Sequence, residues 1–236
     1  MNKIFISSIS LILLLAWWSS LTIGLSSDEY FHHINGLVRY KYLISLGEFD
    51  GYEFRNNRFY PGLYDTISYA IGQIILLIDK KFYANNIDFV MHLVNISFSS
   101  LSILGLYLIV KKIFNNNIAI LASLITLLNP FFFGHMGMNS KDIIIFFSLI
   151  WFCYYFYLYC VEDEKTTKNL LLASFFIGFG CGVRLTFPVV IFPVIICGII
   201  FLFNKYKSNY GPLVKRLLWH SVITITITIF LIILCW

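Results

Sequence analysis

Two adjacent carboxylates, Asp28-Glu29, follow directly on the first long apolar run of the chain. A carboxylate at the edge of a membrane can take the proton of a hydroxyl nucleophile, and a second one can orient the first or share a divalent metal with it. Two more charged spots lie far away in sequence: Lys141-Asp142, and Arg184 within an otherwise apolar stretch. Lys and Arg neutralise phosphate, Arg as a bidentate fork. For a phosphate leaving group, stabilising its charge matters more than protonating it. Brought together, these residues would set a base (Asp28, supported by Glu29) opposite a phosphate clamp (Lys141 and Arg184). Asp142 and His32 are candidate ligands for a divalent metal.

Each residue also has a plain structural role. Asp28, Glu29 and Asp142 suit the first turn of a helix, where the dipole favours acids. Lys141 is unfavourable there, which leans that pair toward function. Arg184 could be a snorkelling anchor, although an ionisable residue inside an apolar stretch is by default a functional candidate. His32, His33 and His135 read as interfacial hydrogen-bonders. Asp65 and Asp88 are acids without an assigned role that could line the site.

The elements that must position these groups are set by composition. The 236 residues are 59% hydrophobic and 12% charged, with a mean hydropathy of +0.80, whereas soluble domains average roughly 25% charged residues. Several apolar runs reach the ~20 residues a membrane helix needs. Residues 101–110 and 143–150 do not alternate as barrel strands would. The expected fold is all-α and polytopic, about seven membrane helices plus outer interfacial helices in a lipid bilayer. The net charge of +5 falls in short clusters at the ends of apolar runs, as membrane anchors do, and gives no sign of a nucleic-acid partner. The five cysteines lie in apolar runs without CxxC spacing and read as small buried hydrophobes.

Residues 4–25 form the first helix, with Lys3 on the inner side. Residues 26–86 form a first extracytoplasmic loop, in which Asp28, His32, Asn35 and Arg39 recur at helical spacing opposite Phe31, Ile34, Val38 and Tyr42. That pattern suits an amphipathic helix lying in the interface. Turns are expected at residues 47–51 and 60–62. Residues 63–78 are short and carry Asp65. Treating them as interfacial or re-entrant keeps Lys111-Lys112 and the Lys205/Lys207/Lys215/Arg216 cluster on the inner side with Lys3. Further crossings follow at residues 89–110, 118–133 and 143–161. Residues 170–203 form two short helices whose tips meet at Arg184, and residues 217–236 begin a last outward helix. This arrangement puts Asp28, Glu29, Lys141, Asp142 and Arg184 on one side. The abrupt C-terminus reads as the truncation of a longer chain.

Three segments in this order resemble the membrane-embedded glycosyltransferases of the C-type fold, the superfamily of protein O-mannosyltransferases and aminoarabinose transferases, in a bacterial branch. They are Asp28-Glu29-Tyr30 with His32; Asn129-Pro130-Phe131-Phe132-Phe133-Gly134-His135 followed by Asn139-Ser140-Lys141-Asp142; and Gly178-x-Gly180-x-Gly182-x-Arg184-x-Thr186. The resemblance covers residues 1–236 as the N-terminal transmembrane module of such an enzyme. It implies an inverting transfer of a sugar from a polyprenyl-phosphate donor to a lipid, glycan or protein hydroxyl on the outer face of the cell (inner) membrane. Asp28 would be the base, with Glu29 and Asp142 supporting it or binding metal, and Lys141 and Arg184 holding the donor phosphate. Two other readings stand beside this one, a transporter or channel subunit and an inactive fragment. A transporter would place charges in mid-helix and repeat its broken helices.

Overall fold

Helices account for all the regular structure of the computed structural model, which describes residues 2–24, 26–49, 61–162, 166–207 and 210–235. In chain order they are α1 (Asn2–Thr22), α2 (Ser27–Ile44), α3 (Leu63–Ile78), α4 (Lys80–Asn85), α5 (Ile87–Ile113) and α6 (Asn116–Leu128). They continue as α7 (Pro130–His135), α8 (Asp142–Val161), α9 (Thr166–Cys181), α10 (Phe187–Lys205) and α11 (Tyr210–Cys235). Among the described residues, α5, α8, α10 and Tyr210–Leu234 of α11 are long and apolar enough to cross a membrane. The protein is therefore an all-α polytopic membrane protein. The other three expected crossings are also helical: α1 has 21 residues, with Ser7–Thr22 as its apolar stretch, and α6 and α9 are shorter at 13 and 16. Of the expected turns, residues 50–60 lie outside the described residues.

The crossing expected at residues 118–133 is in fact broken. Pro130 disfavours helical geometry at Asn129, which is extended (φ −68°, ψ 118°). The Asn129 side chain then accepts from the backbone N–H groups of Phe131 and Phe132 and starts α7. The paired helices expected at residues 170–203 are present as α9 and α10. Gly180 makes their tight junction possible, because a Cβ there would collide with the Phe187 ring. The turn closes with Arg184 N–H donating to Gly180 O (2.9 Å).

Pairings along the helices separate two ends. At one, α5 and α8 finish together, with Lys112 Nζ 3.1 Å from Glu162 Oε1. Lys205, closing α10, donates there to Cys160 O and Val161 O. At the other end α5 and α8 begin and the α9–α10 turn sits, with Gly182 O accepting from Leu63 N–H of α3 (3.1 Å). Between the ends runs an aromatic core in which Phe98, Phe147 and Phe179 meet at 4.8–5.8 Å between centroids. Tyr155 stacks on Phe176 (5.8 Å, 8°) and Tyr159 is buried against His220, so both pack within the bundle.

Helix α2 shows which way an amphipathic helix turns in a membrane protein. Its polar residues Glu29, His32, Asn35 and Arg39 are buried, while Tyr30, Phe31, Ile34 and Tyr42 are exposed. The polar stripe faces α3 and α5, where side chains satisfy it, and the aromatic stripe is left for lipid. Val38, expected on the outer stripe, is buried. Contact between α2 and α3 depends on Gly36, since a Cβ there would run into the Asp65 carbonyl and lie 2.9 Å from Tyr69 Cβ. We expect Gly36→Ala to lower the unfolding midpoint in detergent, at a cost of about 1–3 kcal/mol typical of an overpacked contact. An unchanged midpoint would show that α2 and α3 separate freely.

Candidate functional site

At the end of the bundle where α2 and α8 begin lies a polar cavity of about 340 Å³. Each charged residue on its wall is placed by local sequence. Asp28 stands in the first turn of α2 and is exposed. Asn139 builds the start of α8, its Oδ1 accepting from Lys141 N–H (3.1 Å) and Asp142 N–H (2.8 Å) and its Nδ2 donating to Asp142 Oδ2 (3.0 Å). Arg184 projects from the α9–α10 turn, with its guanidinium 2.9 Å from Asp142 Oδ1. Asp28, His32, Lys141, Asp142 and Arg184 all line this one cavity.

The Arg184–Asp142 pair is accessible on both sides, with side chains 47% and 58% exposed. Exposed pairs are worth about 0–1 kcal/mol. An incoming phosphate, which offers Arg a bidentate partner, can therefore take over the guanidinium at little cost.

Glu29 lies elsewhere. It is buried beneath the cavity, with Oε2 accepting from Ser26 N–H (2.7 Å) and Oε1 2.8 Å from His92 Nε2 of α5. That second approach has ion-pair distance without the alignment of a linear hydrogen bond. Glu29 therefore ties α2 to α5 and fixes where its neighbour Asp28 emerges. His32 belongs to both layers. It lines the cavity, and its Nδ1 lies 2.9 Å from Asp65 Oδ1 of α3. Asp65 Oδ2 accepts a short hydrogen bond from Asn35 Nδ2, and Asn35 Oδ1 accepts from Arg39 Nε (3.0 Å). His33 points to another face, against Tyr69 (5.4 Å between ring centroids), where burial holds its imidazole below the usual range.

The sequence offered Asp142 and His32 as ligands for a divalent cation. Such ions take several oxygen ligands, and among the described residues no three His, Cys, Asp or Glu side chains converge. Asp142 lies exposed on the cavity wall beside Arg184, His32 Nδ1 is engaged by Asp65, and Glu29 faces the core. Lys141 and Arg184 are the Lys and Arg side chains on the wall of this cavity.

Sequence reasoning did not assign Asp65 and did not flag Asn35 or His92 as part of this end. A signal existed for the last: His92 is an ionisable residue inside an apolar helix, the same criterion that singled out Arg184.

A family model described as dolichyl-phosphate-mannose-protein mannosyltransferase matches residues 74–236, which include Lys141, Asp142 and Arg184. Comparisons with curated proteins and with solved structures gave no match.

Proposed function

Because this chain belongs to the dolichyl-phosphate-mannose-protein mannosyltransferase family, a family of glycosyltransferases, we propose that its polar cavity transfers a sugar from a polyprenyl-phosphate donor to a hydroxyl on the extracytoplasmic face. The hydroxyl belongs to a lipid, a glycan or a protein. The observation that supports this reading is the meeting of Asp28 with Lys141 and Arg184 in one cavity at the end of the bundle remote from Lys112 and Lys205.

The chemistry follows from the placement. Lys141 and Arg184 bind the donor phosphate, Arg184 exchanging Asp142 for phosphate oxygens. Asp28 accepts the proton of the acceptor hydroxyl. The hydroxyl oxygen attacks the anomeric carbon as the bond from that carbon to the phosphate oxygen breaks. The electron pair leaves on the phosphate, where the two cations stabilise it. One displacement at that carbon inverts its configuration. Asp142 is the resting partner of Arg184 and holds the guanidinium in place between turnovers.

The outward orientation rests on the cationic end. Lys111, Lys112, Lys205, Lys207, Lys215 and Arg216 cluster near the ends of α5, α10 and the start of α11, as residues on the cytoplasmic side do. Single cysteines at positions 28 and 112 should react with impermeant reagents from opposite sides of sealed cells, position 28 from outside. Membranes carrying the chain, given polyprenyl-phosphate-[³H]mannose, should consume that donor and pass label to a second product faster than matched membranes without it. An intact donor, or labelling of both cysteines from one side, would remove this assignment.

A further inference from the structure

Asp65 holds His32 on the α2 side of the cavity, and the part that His32 takes toward an acceptor hydroxyl rests on the transferase reading. A carboxylate offers only acceptor atoms, so a neutral imidazole 2.9 Å from Asp65 Oδ1 places its proton on Nδ1 and donates it there. Asp65 is held in turn, with Oδ2 accepting from Asn35 and Asn35 accepting from Arg39. Both His32 and Asp65 are only 6% exposed, so neither side chain turns over freely in water. His32 nevertheless reaches the wall of the polar cavity, one helical turn from Asp28 on the same face of α2. Across the cavity the walls are cationic, from Lys141 and Arg184.

We propose that Asp65 locks the His32 ring so that Nε2 is presented as a fixed hydrogen-bond acceptor, and that Nε2 and Asp28 together grip the attacking hydroxyl. The hydroxyl has one proton, which Nε2 and Asp28 share in a three-centre hydrogen bond until it passes to Asp28 as the oxygen attacks. The division of the cavity is then simple: donor phosphate on the side of Lys141 and Arg184, acceptor hydroxyl on the side of α2. His32 binds substrate, and Asp65 is a positioning residue acting through it. An asparagine at position 65 would keep the shape but offer Nδ1 an N–H donor, which permits the opposite tautomer and turns Nε2 from acceptor to donor.

The test has two arms on the full chain. In ¹⁵N-histidine-labelled protein, the His32 signal, assigned by its loss in His32→Leu, should show the Nδ1–H tautomer, and Asp65→Asn should shift it toward Nε2–H. In membranes with polyprenyl-phosphate-[³H]mannose, His32→Leu should lower transfer about 10- to 100-fold, the effect of losing one buried hydrogen bond, with the donor KM unchanged. His32→Gln, whose amide oxygen can accept, should recover most of the loss. Asp65→Asn should reduce transfer comparably and add nothing in the His32→Leu background. An Nε2–H tautomer in the unmodified protein overturns the lock. Transfer unaffected by His32→Leu, or additive losses, overturns the grip on the hydroxyl. A correct tautomer in a chain that consumes no donor would instead overturn the transferase reading and take the hydroxyl role with it.

Discussion

Asp28→Asn is expected to reduce sugar transfer by about 10²- to 10⁴-fold, the range contributed by a general base, while the protein inserts and folds as before. The fold has little at stake in this side chain. Asp28 is exposed in the first turn of α2, where an acid gains about 0.3–1 kcal/mol from the helix dipole. Anchoring of α2 to the bundle belongs to Glu29, His32, Asn35 and Arg39, none of which the substitution touches. Asparagine keeps the volume and the acceptor oxygen and removes only the ability to take up a proton. The loss should therefore fall on kcat, with donor KM unchanged, because the donor is held from the opposite wall. Arg184→Ala should raise the donor KM as well as lower kcat, because the same guanidinium binds the donor phosphate and stabilises its departing charge. Measuring both constants for both variants separates base from clamp. Transfer by Asp28→Asn within threefold of the unmodified rate, at equal protein in the membrane, would mean that another group takes the proton.

Much of this site was legible before any coordinates, and the reason is sidedness. Charges are so few in the apolar runs that counting crossings and placing the lysine clusters on one side sends Asp28, Lys141, Asp142 and Arg184 to the other. Arg184 at the tip of two short helices followed from one charge interrupting one long apolar stretch. The difference between Asp28 and Glu29 was not legible. Adjacent helical residues project about 100° apart, so one of the pair had to turn from the cavity, and which one depended on where α2 met α5 and α3. The same unknown concealed Asp65, whose role exists only because Gly36 lets α3 come close enough for His32 and Asn35 to reach it. The break at Asn129 was readable from the residue before a proline but yielded to the length of the apolar run around it.

The largest effect on stability is expected from His92→Leu. His92 is fully buried on α5, and its Nε2 lies 2.8 Å from Glu29 Oε1. Leucine fits the apolar surroundings but leaves that carboxylate oxygen buried with its nearest polar neighbour gone, since Ser26 N–H serves the other oxygen. Removing one member of a buried pair costs about 3 kcal/mol or more, because the remaining group keeps its desolvation penalty without compensation. For a chain of this size that corresponds to a fall of roughly 6–12 °C in the unfolding midpoint. Function should suffer as well, because Glu29 relaxing toward water rotates the first turn of α2 and carries Asp28 out of line with Lys141 and Arg184. The double variant Glu29→Gln/His92→Leu should recover a good part of the midpoint: a neutral amide keeps the bond from Ser26 and is cheaper to bury than a carboxylate. A single variant that melts with the unmodified protein, or a double variant no better than the single, would show that the Glu29–His92 contact does not hold α2 in place.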